Sequence, residues 1–241
     1  HCETWNGDLT IKNSGVNSLA GLEALEDVTG DLTITMTNLT NLVGLENLAS
    51  IGGDLQIGSD FSLVNISQLT SLTEVLGDIR ITQVTNLPNL EGLYGLTSVH
   101  GDLYLGNGGL LNLNGLENVT TIGGSLTIEK NDDLFTLEGL SGLEAIGQSL
   151  VVNSNDQLKS LAPLSGLGPM SGSAHVSFTH NPQLCTTEIA AFIDTLCGDV
   201  SSCEQTSNGN NLTCADNEAC SEGTCTCVPA CDVKSCGDDG C

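Results

Sequence analysis

A five-residue phrase that returns at regular intervals constrains the fold of this chain more than any other feature. Its eight copies are GDLTI (7–11), GDLTI (30–34), GDLQI (53–57), GDIRI (77–81), GDLYL (101–105), GSLTI (124–128), QSLVV (148–152) and AHVSF (174–178). Successive copies are 23 to 26 residues apart, and a fixed period in this range is typical of a repeat architecture. The apolar residues of each copy alternate with polar or variable ones, which predicts a β-strand with one buried face. We call the unit from one phrase to the next a coil.

The rest of each coil carries two more apolar stretches. In the second coil these are Leu39, Leu42 and Leu45, followed by Leu48 and Ile51. A spacing of three also fits a helix, but every coil has glycine here, and glycine interrupts a helix beyond about two turns. We therefore expect three short strands per coil, wound into an all-β solenoid of about eight coils stacked about 4.8 Å apart.

The two ends of the repeat carry features that suit caps. Residues 1–6 form a lead-in whose Trp5 is expected to cover the open end of the first coil, because a solenoid must close its apolar ends. Near 187–196, Ile189, Phe192, Ile193 and Leu196 form one apolar stripe, which predicts a helix over the other end. The predicted domains are thus 1–6 as lead-in, 7–203 as solenoid with its capping helix, and 204–241 as a cysteine-rich segment.

The repeating coils resemble the receptor L-domain family, the leucine-rich β-helix of insulin and EGF receptor ectodomains. The ending Asn181-Pro-Gln-Leu-Cys185, followed by Glu188-Ile189 and by Ser202-Cys203-Glu204, is similar to the closing motif of that family. The resemblance covers about 7–204. It implies a right-handed β-helix, an extracellular location and a binding or structural role without catalysis. The chain departs from the family in lacking its usual N-terminal disulfide, since Cys2 has no cysteine partner before Cys185.

Cysteine is concentrated at the C-terminal end of the chain. The disulfide candidates are Cys185, Cys197, Cys203, Cys214, Cys220, Cys225, Cys227, Cys231, Cys236 and Cys241. Such a cluster in a loop-rich tail indicates an oxidising compartment. The Cys225-Thr-Cys227 spacing resembles an EGF-type module, and the last residues resemble a second cysteine-rich repeat cut off at Cys241. The eleventh cysteine, Cys2, is the candidate for a disulfide between molecules.

Charge and composition exclude several classes of partner. Five Lys plus Arg against thirty Asp plus Glu give a formal net charge of −25, so nucleic acid and anionic membrane surfaces are unfavourable partners. No apolar run approaches the roughly 20 residues of a membrane helix, so no direct membrane insertion is expected. The absence of a hydrophobic leader at His1 suggests a mature, processed chain. Four Asn-x-Ser/Thr sequons suit a secreted or cell-surface glycoprotein, namely Asn38, Asn65, Asn118 and Asn211.

Two sets of polar residues recur at fixed positions of the coil. One is an aspartate column, Asp8, Asp31, Asp54, Asp78 and Asp102. Turn capping is the favoured role, and Ca²⁺ binding is the weaker alternative, because no second acidic residue recurs beside the column to complete a six-oxygen site. The other set is Asn131, Asn155 and Asn181, where an amide side chain can satisfy backbone groups of the turn.

The outward position of the phrase varies from coil to coil and includes the residues best suited to binding. Gln56, Arg80 and Tyr104 follow one another in three successive coils, and Arg80 is the only arginine of the chain. Arg and Tyr are enriched in binding hot spots, so we take these three residues as the candidate binding face. The alternative is a cation–π pair of Arg80 with Tyr104 that only decorates the sheet.

Nothing in the chain matches a catalytic or metal-binding motif. Its histidines have no zinc-type spacing, and neither a phosphate loop nor a nucleophile elbow occurs. We therefore expect no cofactor and a non-enzymatic module that binds a protein or glycan. The alternative is a subunit of an extracellular filament or coat, assembled head to tail with disulfides through Cys2. A weaker alternative is a secreted hydrolase with an unrecognised site.

Overall fold

The phrase forms the strands of one long parallel sheet. In the computed structural model, residues 3–170 and 174–197 are described in full, and 203–208, 218–221 and 224–227 as backbone strands only. Within these residues the principal sheet has nine parallel strands: Leu9–Lys12, Leu32–Thr35, Leu55–Gly58, Ile79–Thr82, Leu103–Gly106, Leu126–Glu129, Leu150–Asn153, Ala174–Thr179 and Cys203–Asn208. The predicted β-solenoid is confirmed, with about seven turns between Leu9 and Thr179.

Register in the principal sheet follows the phrase without a slip. Leu9 pairs with Leu32, Ile79 with Leu103, and Leu150 with Val176. Equivalent apolar residues therefore stack on the inner face, where Leu, Ile and Val of successive coils form one continuous core. Burial of this face fixes the register, because a shift by one residue would expose every apolar side chain of the strand.

Two-residue strands form a second wall of the solenoid. They are Thr4–Trp5, Asp27–Val28, Ser50–Ile51 and Glu74–Val75 in one sheet, and Ser98–Val99, Thr121–Ile122 and Ala145–Ile146 in another. Trp5 pairs with Val28 at the N-terminal end of this wall and is 40% exposed, and the role of residues 1–6 as a cap stays a prediction.

The third side of the coil is not the strand that the sequence predicted. Short 3₁₀ helices lie there instead, at Ser67–Ser71, Glu91–Leu93, Glu138–Leu140 and Ala162–Leu164. A 3₁₀ helix has three residues per turn, so a spacing of three places its apolar residues on one inward face. Glycine stops these turns from growing into longer helices, but it does not prevent one turn.

The C-terminal end of the solenoid is covered by an α-helix, Thr186–Cys197. Its inner face buries Ile189, Ile193 and Leu196, and Phe192 packs edge-on against Phe178 of the sheet, with ring centroids 5.8 Å apart. The predicted capping helix near 187–196 is confirmed. Beyond it, Glu218–Ser221 and Thr224–Cys227 pair as an antiparallel hairpin. Most of the predicted EGF-like segment lies outside the described residues.

Candidate binding face of the principal sheet

The three residues predicted as a binding face lie side by side in the middle of the principal sheet. Gln56 pairs in register with Arg80, and Arg80 pairs with Tyr104. They belong to coils three, four and five, and their side chains alternate with buried leucine and isoleucine, so they point away from the core. The sheet therefore brings the predicted trio together on one outward surface.

Arg80 is held by carboxylates of the aspartate column. Its Nη2 lies 2.8 Å from Oδ2 of Asp78 and 3.7 Å from Oδ2 of Asp102. The hydrogen bond with Asp78 raises the pKa of Arg80, against the opposing effect of burial, and the charges of Asp78, Asp102 and Asp54 raise it further. Its contacts in the described part of the chain are thus ion pairs rather than the alternative cation–π pair.

Tyr104 is fixed by a neighbour in the next coil. Its hydroxyl donates to Oε1 of Glu129 at 2.5 Å. Burial, and then this hydrogen bond and the charge of Glu129, raise the pKa of Tyr104 to about 12, although Arg80 acts in the opposite direction. The phenol therefore stays protonated near neutral pH, and its ring is held in one orientation beside the guanidinium.

The aspartate column is a ladder of hydrogen bonds between coils. Oδ1 of each aspartate accepts the backbone N–H of the equivalent residue one coil later, at 2.7 to 3.0 Å. The donors are the amides of Asp31, Asp54, Asp78, Asp102 and Ser125. The predicted capping of amides is confirmed, with the difference that the capped amide belongs to the next coil.

The ladder also explains the glycine that precedes each aspartate. A Cβ on Gly53 would overlap with Oδ1 of Asp31 from the coil before, and Gly77 is equally crowded by Asp54. Where the phrase loses its aspartate, the need for glycine ends one coil later. Ser125 replaces the aspartate in coil six, and Gln148 then stands where the earlier coils have glycine.

Asparagines form a second ladder at the opposite end of the strands, in the last coils. Asn131, Asn155 and Asn181 are fully buried. The backbone N–H of Asn131 donates to Oδ1 of Asn155 at 3.2 Å, and that of Asn155 donates to Oδ1 of Asn181 at 3.0 Å. Each side-chain amide donates in turn to a strand carbonyl, for example Asn181 to Val152 at 2.7 Å. The predicted role of these residues at the turn is confirmed.

The three sequons in the described residues differ in the state of the amide nitrogen. Nδ2 of Asn38 donates to the carbonyl of Ser14, and Nδ2 of Asn118 donates to the carbonyl of Tyr94 at 2.8 Å. Asn65 instead uses its oxygen, which accepts the backbone N–H of Ser67 at 2.6 Å. A glycan attached to Nδ2 of Asn65 would therefore leave the hydrogen bonds between coils intact, whereas a glycan on Asn38 or Asn118 would replace one. Asn211 lies outside the described residues.

The predicted cysteines divide into three groups. Cys185, which precedes the capping helix, and Cys197, which ends it, each take part in a disulfide bond. Cys203, Cys220, Cys225 and Cys227 lie in strands described as backbone only. The remaining predicted cysteines lie outside the described residues, namely Cys2, Cys214, Cys231, Cys236 and Cys241.

The described part of the chain has no clustered metal ligands and no membrane-spanning helix. Over these residues, no three His, Cys, Asp or Glu side chains converge as metal ligands. The calcium alternative for the aspartate column thus gains no support from this region, where Oδ1 of each aspartate already accepts an amide. Within the same limits, no helix has the length and apolar character needed to cross a bilayer.

Two residues of the candidate face were missed at the level of sequence. Asp78 as the anchor of Arg80 was visible in principle, because it directly precedes the strand Ile79–Thr82 and stands two residues from Arg80, the spacing that places side chains on one side of a strand. Glu129 as the partner of Tyr104 was harder to find, because it lies 25 residues on and requires the register between coils.

Comparison with known proteins identifies the repeat. The family model described as Receptor L domain matches residues 1–66 and 97–196, which together are more than half of the chain. The unmatched interval 67–96 includes Arg80, although the coils continue through it without interruption. No curated protein and no solved structure matches the chain.

Proposed function

The chain belongs to the receptor L domain family, and from that premise we propose that it is a non-enzymatic extracellular module that binds a protein partner on its principal sheet. The observation that supports this role above others is the in-register pair of Arg80 and Tyr104 in the centre of the sheet. Both side chains are already held by carboxylates of the protein itself.

Fixing these side chains before binding favours affinity. Ordering a long side chain at an interface costs about 0.5–1.5 kcal/mol, and the ion pairs of Arg80 and the hydrogen bond of Tyr104 remove part of that cost. Arginine and tyrosine are also among the residues that dominate interface energetics. Gln56, next in line, adds an exposed amide that can donate and accept hydrogen bonds.

The charge of the module indicates the chemistry of its partner. Arg80 is surrounded by Asp54, Asp78 and Asp102, and the whole chain has a net charge of −25. A partner with a cationic rim would be steered to this surface, and its binding would weaken with salt. A protein partner satisfies this requirement more readily than a neutral glycan.

Head-to-tail assembly is a second candidate function, and the first coil offers one observation in its favour. Among the described residues, strand Leu9–Lys12 has a neighbour on one side only. Leu9 and Ile11 are also less completely buried than their equivalents in coil two. Electrophoresis of native material with and without a thiol reductant tests this function: a ladder that collapses on reduction supports it, and a single monomer band excludes disulfide-linked assembly.

Binding through the sheet is tested by screening the full chain against displayed extracellular proteins. The hit is then titrated with the wild type, with an Arg80→Ala/Tyr104→Ala double variant and with a Thr10→Ala control in the first coil of the same sheet. We expect at least about a tenfold loss of affinity in the first variant and none in the control. Equal affinity of the wild type and both variants would remove this face from the function.

A further inference from the structure

An exposed apolar stripe crosses four successive coils outside the principal sheet. Each member directly follows the first buried leucine after a strand of the principal sheet, namely Leu63, Leu87, Leu110 or Leu134. The members are Val64, Pro88, Leu111 and Phe135, of which Val64 is 49%, Leu111 40% and Phe135 50% exposed. The amide of Leu111 donates to the carbonyl of Pro88 at 2.8 Å, and that of Phe135 donates to the carbonyl of Leu111 at 3.2 Å. These hydrogen bonds directly join Leu111 to Phe135 and to Pro88, which is half-buried, and Val64 holds the same position one coil before Pro88.

The solenoid itself does not require apolar residues at this position. Thr40 in coil two and Lys159 in coil seven occupy the same place, and the amide of Val64 donates to the carbonyl of Thr40 at 3.0 Å, so coils carrying either kind of residue stack alike. Phe61, in the same coil as Val64, adds a further ring that is 63% exposed. Contiguous exposed apolar patches of this kind mark interaction sites.

The charges around the stripe restrict what can cover it. Asp132 and Asp133 precede it in coil six, and Glu91 and Glu138 follow it in coils four and six, all four being exposed. Two lysines accompany these carboxylates: Lys159 at the C-terminal end of the row, and Lys130, which lies 3.9 Å from Glu129. A second copy of the chain would bring two bodies of net charge −25 together, and an anionic bilayer would be repelled in the same way.

The spacing of the stripe fits an α-helix. Neighbouring coils are about 4.8 Å apart and the pitch of an α-helix is about 5.4 Å, so a helix along the solenoid can place one apolar side chain on each coil. We propose that the stripe docks an amphipathic helix of a partner protein, whose apolar residues are flanked by lysine or arginine. This site is separate from the principal sheet and does not depend on the function proposed for it.

Fluorescence anisotropy tests the proposal. The full chain is titrated against three labelled peptides of about 15 residues, a length that spans the four coils as a helix. The first peptide is helix-forming, with leucine once per turn and lysine on its flanks. The second has glutamate in place of lysine, and the third is a scramble of the first without an apolar face. We expect binding of the first peptide only, weakened at least tenfold by Leu111→Ser or Phe135→Ser.

Leu76→Ser is the matched control, because Leu76 is equally exposed, at 48%, but lies outside the stripe. Equal binding of the scrambled peptide would show charge attraction without an apolar contact and would overturn the proposal. Absence of binding by all three peptides would overturn it too. Wild-type dimers in sedimentation that Phe135→Ser dissociates would assign the stripe to a second copy instead. Unchanged affinity in both stripe variants would exclude the stripe as the docking site.

Discussion

The aspartate ladder of the first coils and the asparagine ladder of the last coils satisfy backbone amides in two different environments. Asp31 is exposed and accepts one amide from the next coil at 2.8 Å. Asn155 is fully buried, and it both accepts an amide and donates to strand carbonyls. The same task is therefore done by a charged acceptor at the surface and by a neutral donor and acceptor in the interior.

Coil three shows what a carboxylate needs at the buried position: Asp60, the equivalent of Asn131, is fully buried there and accepts the hydroxyl of Thr37. An ionised carboxylate in the buried position would need compensation for its lost hydration, whereas a neutral amide needs only hydrogen-bond partners. At the surface the carboxylate stays solvated and leaves Oδ2 available, and in Asp78 this second oxygen holds Arg80. The aspartate ladder thus also holds Arg80 of the candidate binding face.

The largest effect is expected where the exposed ladder meets its glycines. Gly77→Ala places a methyl group against Oδ1 of Asp54 and 2.8 Å from the backbone carbon of Gly53. We expect a loss of about 3 kcal/mol in the free energy of unfolding, measured by urea titration. Gly166→Ala is the control, because its nearest neighbour would lie 3.6 Å away. Similar urea midpoints for the two variants would contradict steric coupling between glycine and aspartate.

The next effect separates the two ladders directly. Asn155→Ala removes the acceptor of the buried Asn131 amide and should lower the free energy of unfolding by about 2–3 kcal/mol. Asp31→Ala frees an amide that water can reach, so its cost should be about 1 kcal/mol or less. An equal cost for both variants would show that burial does not distinguish the ladders.

A pH titration of stability sharpens the contrast, because only the exposed ladder carries ionisable groups. Burial raises the pKa of Asp78, but the amide of Asp102 and the guanidinium of Arg80 outweigh it and lower the pKa overall. The stabilisation is then complete above the unfolded value of about 3.9 and is lost as the pH falls through the lower folded pKa. Asp78→Asn should flatten the loss of stability below about pH 4.

Asn155→Ala serves as the control in that titration, because it changes the stability of the protein without removing a titrating group. Its unfolding free energy should fall with pH as steeply as that of the wild type. An Asp78→Asn variant with the wild-type slope would mean that the ion pair with Arg80 does not contribute to acid sensitivity.

The smallest effect concerns the tyrosine of the binding face. The pKa of Tyr104 is raised to about 12, mainly by burial and then by Glu129. Near-ultraviolet titration should show that Tyr104→Phe removes the step at highest pH. Glu129→Gln should lower the pKa of Tyr104, because the negative charge is removed. An unchanged titration in Glu129→Gln would show that Glu129 does not hold the phenol.

The strands and the capping helix were predictable from sequence because each depends on residues close together in the chain. Leu32 and Ile34, two residues apart, define a strand face, and Ile189, Ile193 and Leu196 define a helix face. The third wall was predicted wrongly, since Leu137 and Leu140 have a spacing that suits both a broken strand and a 3₁₀ turn.

The polar contacts between coils were less predictable, because they join residues more than 20 positions apart. The choice of Gln56, Arg80 and Tyr104 required only the order of the coils, and the sheet brings them together. The ion pair of Arg80 with Asp102 also required the rotamers of both side chains. A sequence pattern contains no information on these rotamers.

We assign a structural role to the repeated residues of the phrase and a binding role to its variable position. The direct test is the affinity of the identified partner for two variants, Asp31→Asn in the ladder and Arg80→Ala/Tyr104→Ala on the face. Asp31→Asn keeps the acceptor of the Asp54 amide and should leave the dissociation constant within about threefold of the wild type, while the face variant should raise it at least about tenfold. The reverse result, lost affinity in Asp31→Asn and full affinity in the face variant, would contradict the assignment.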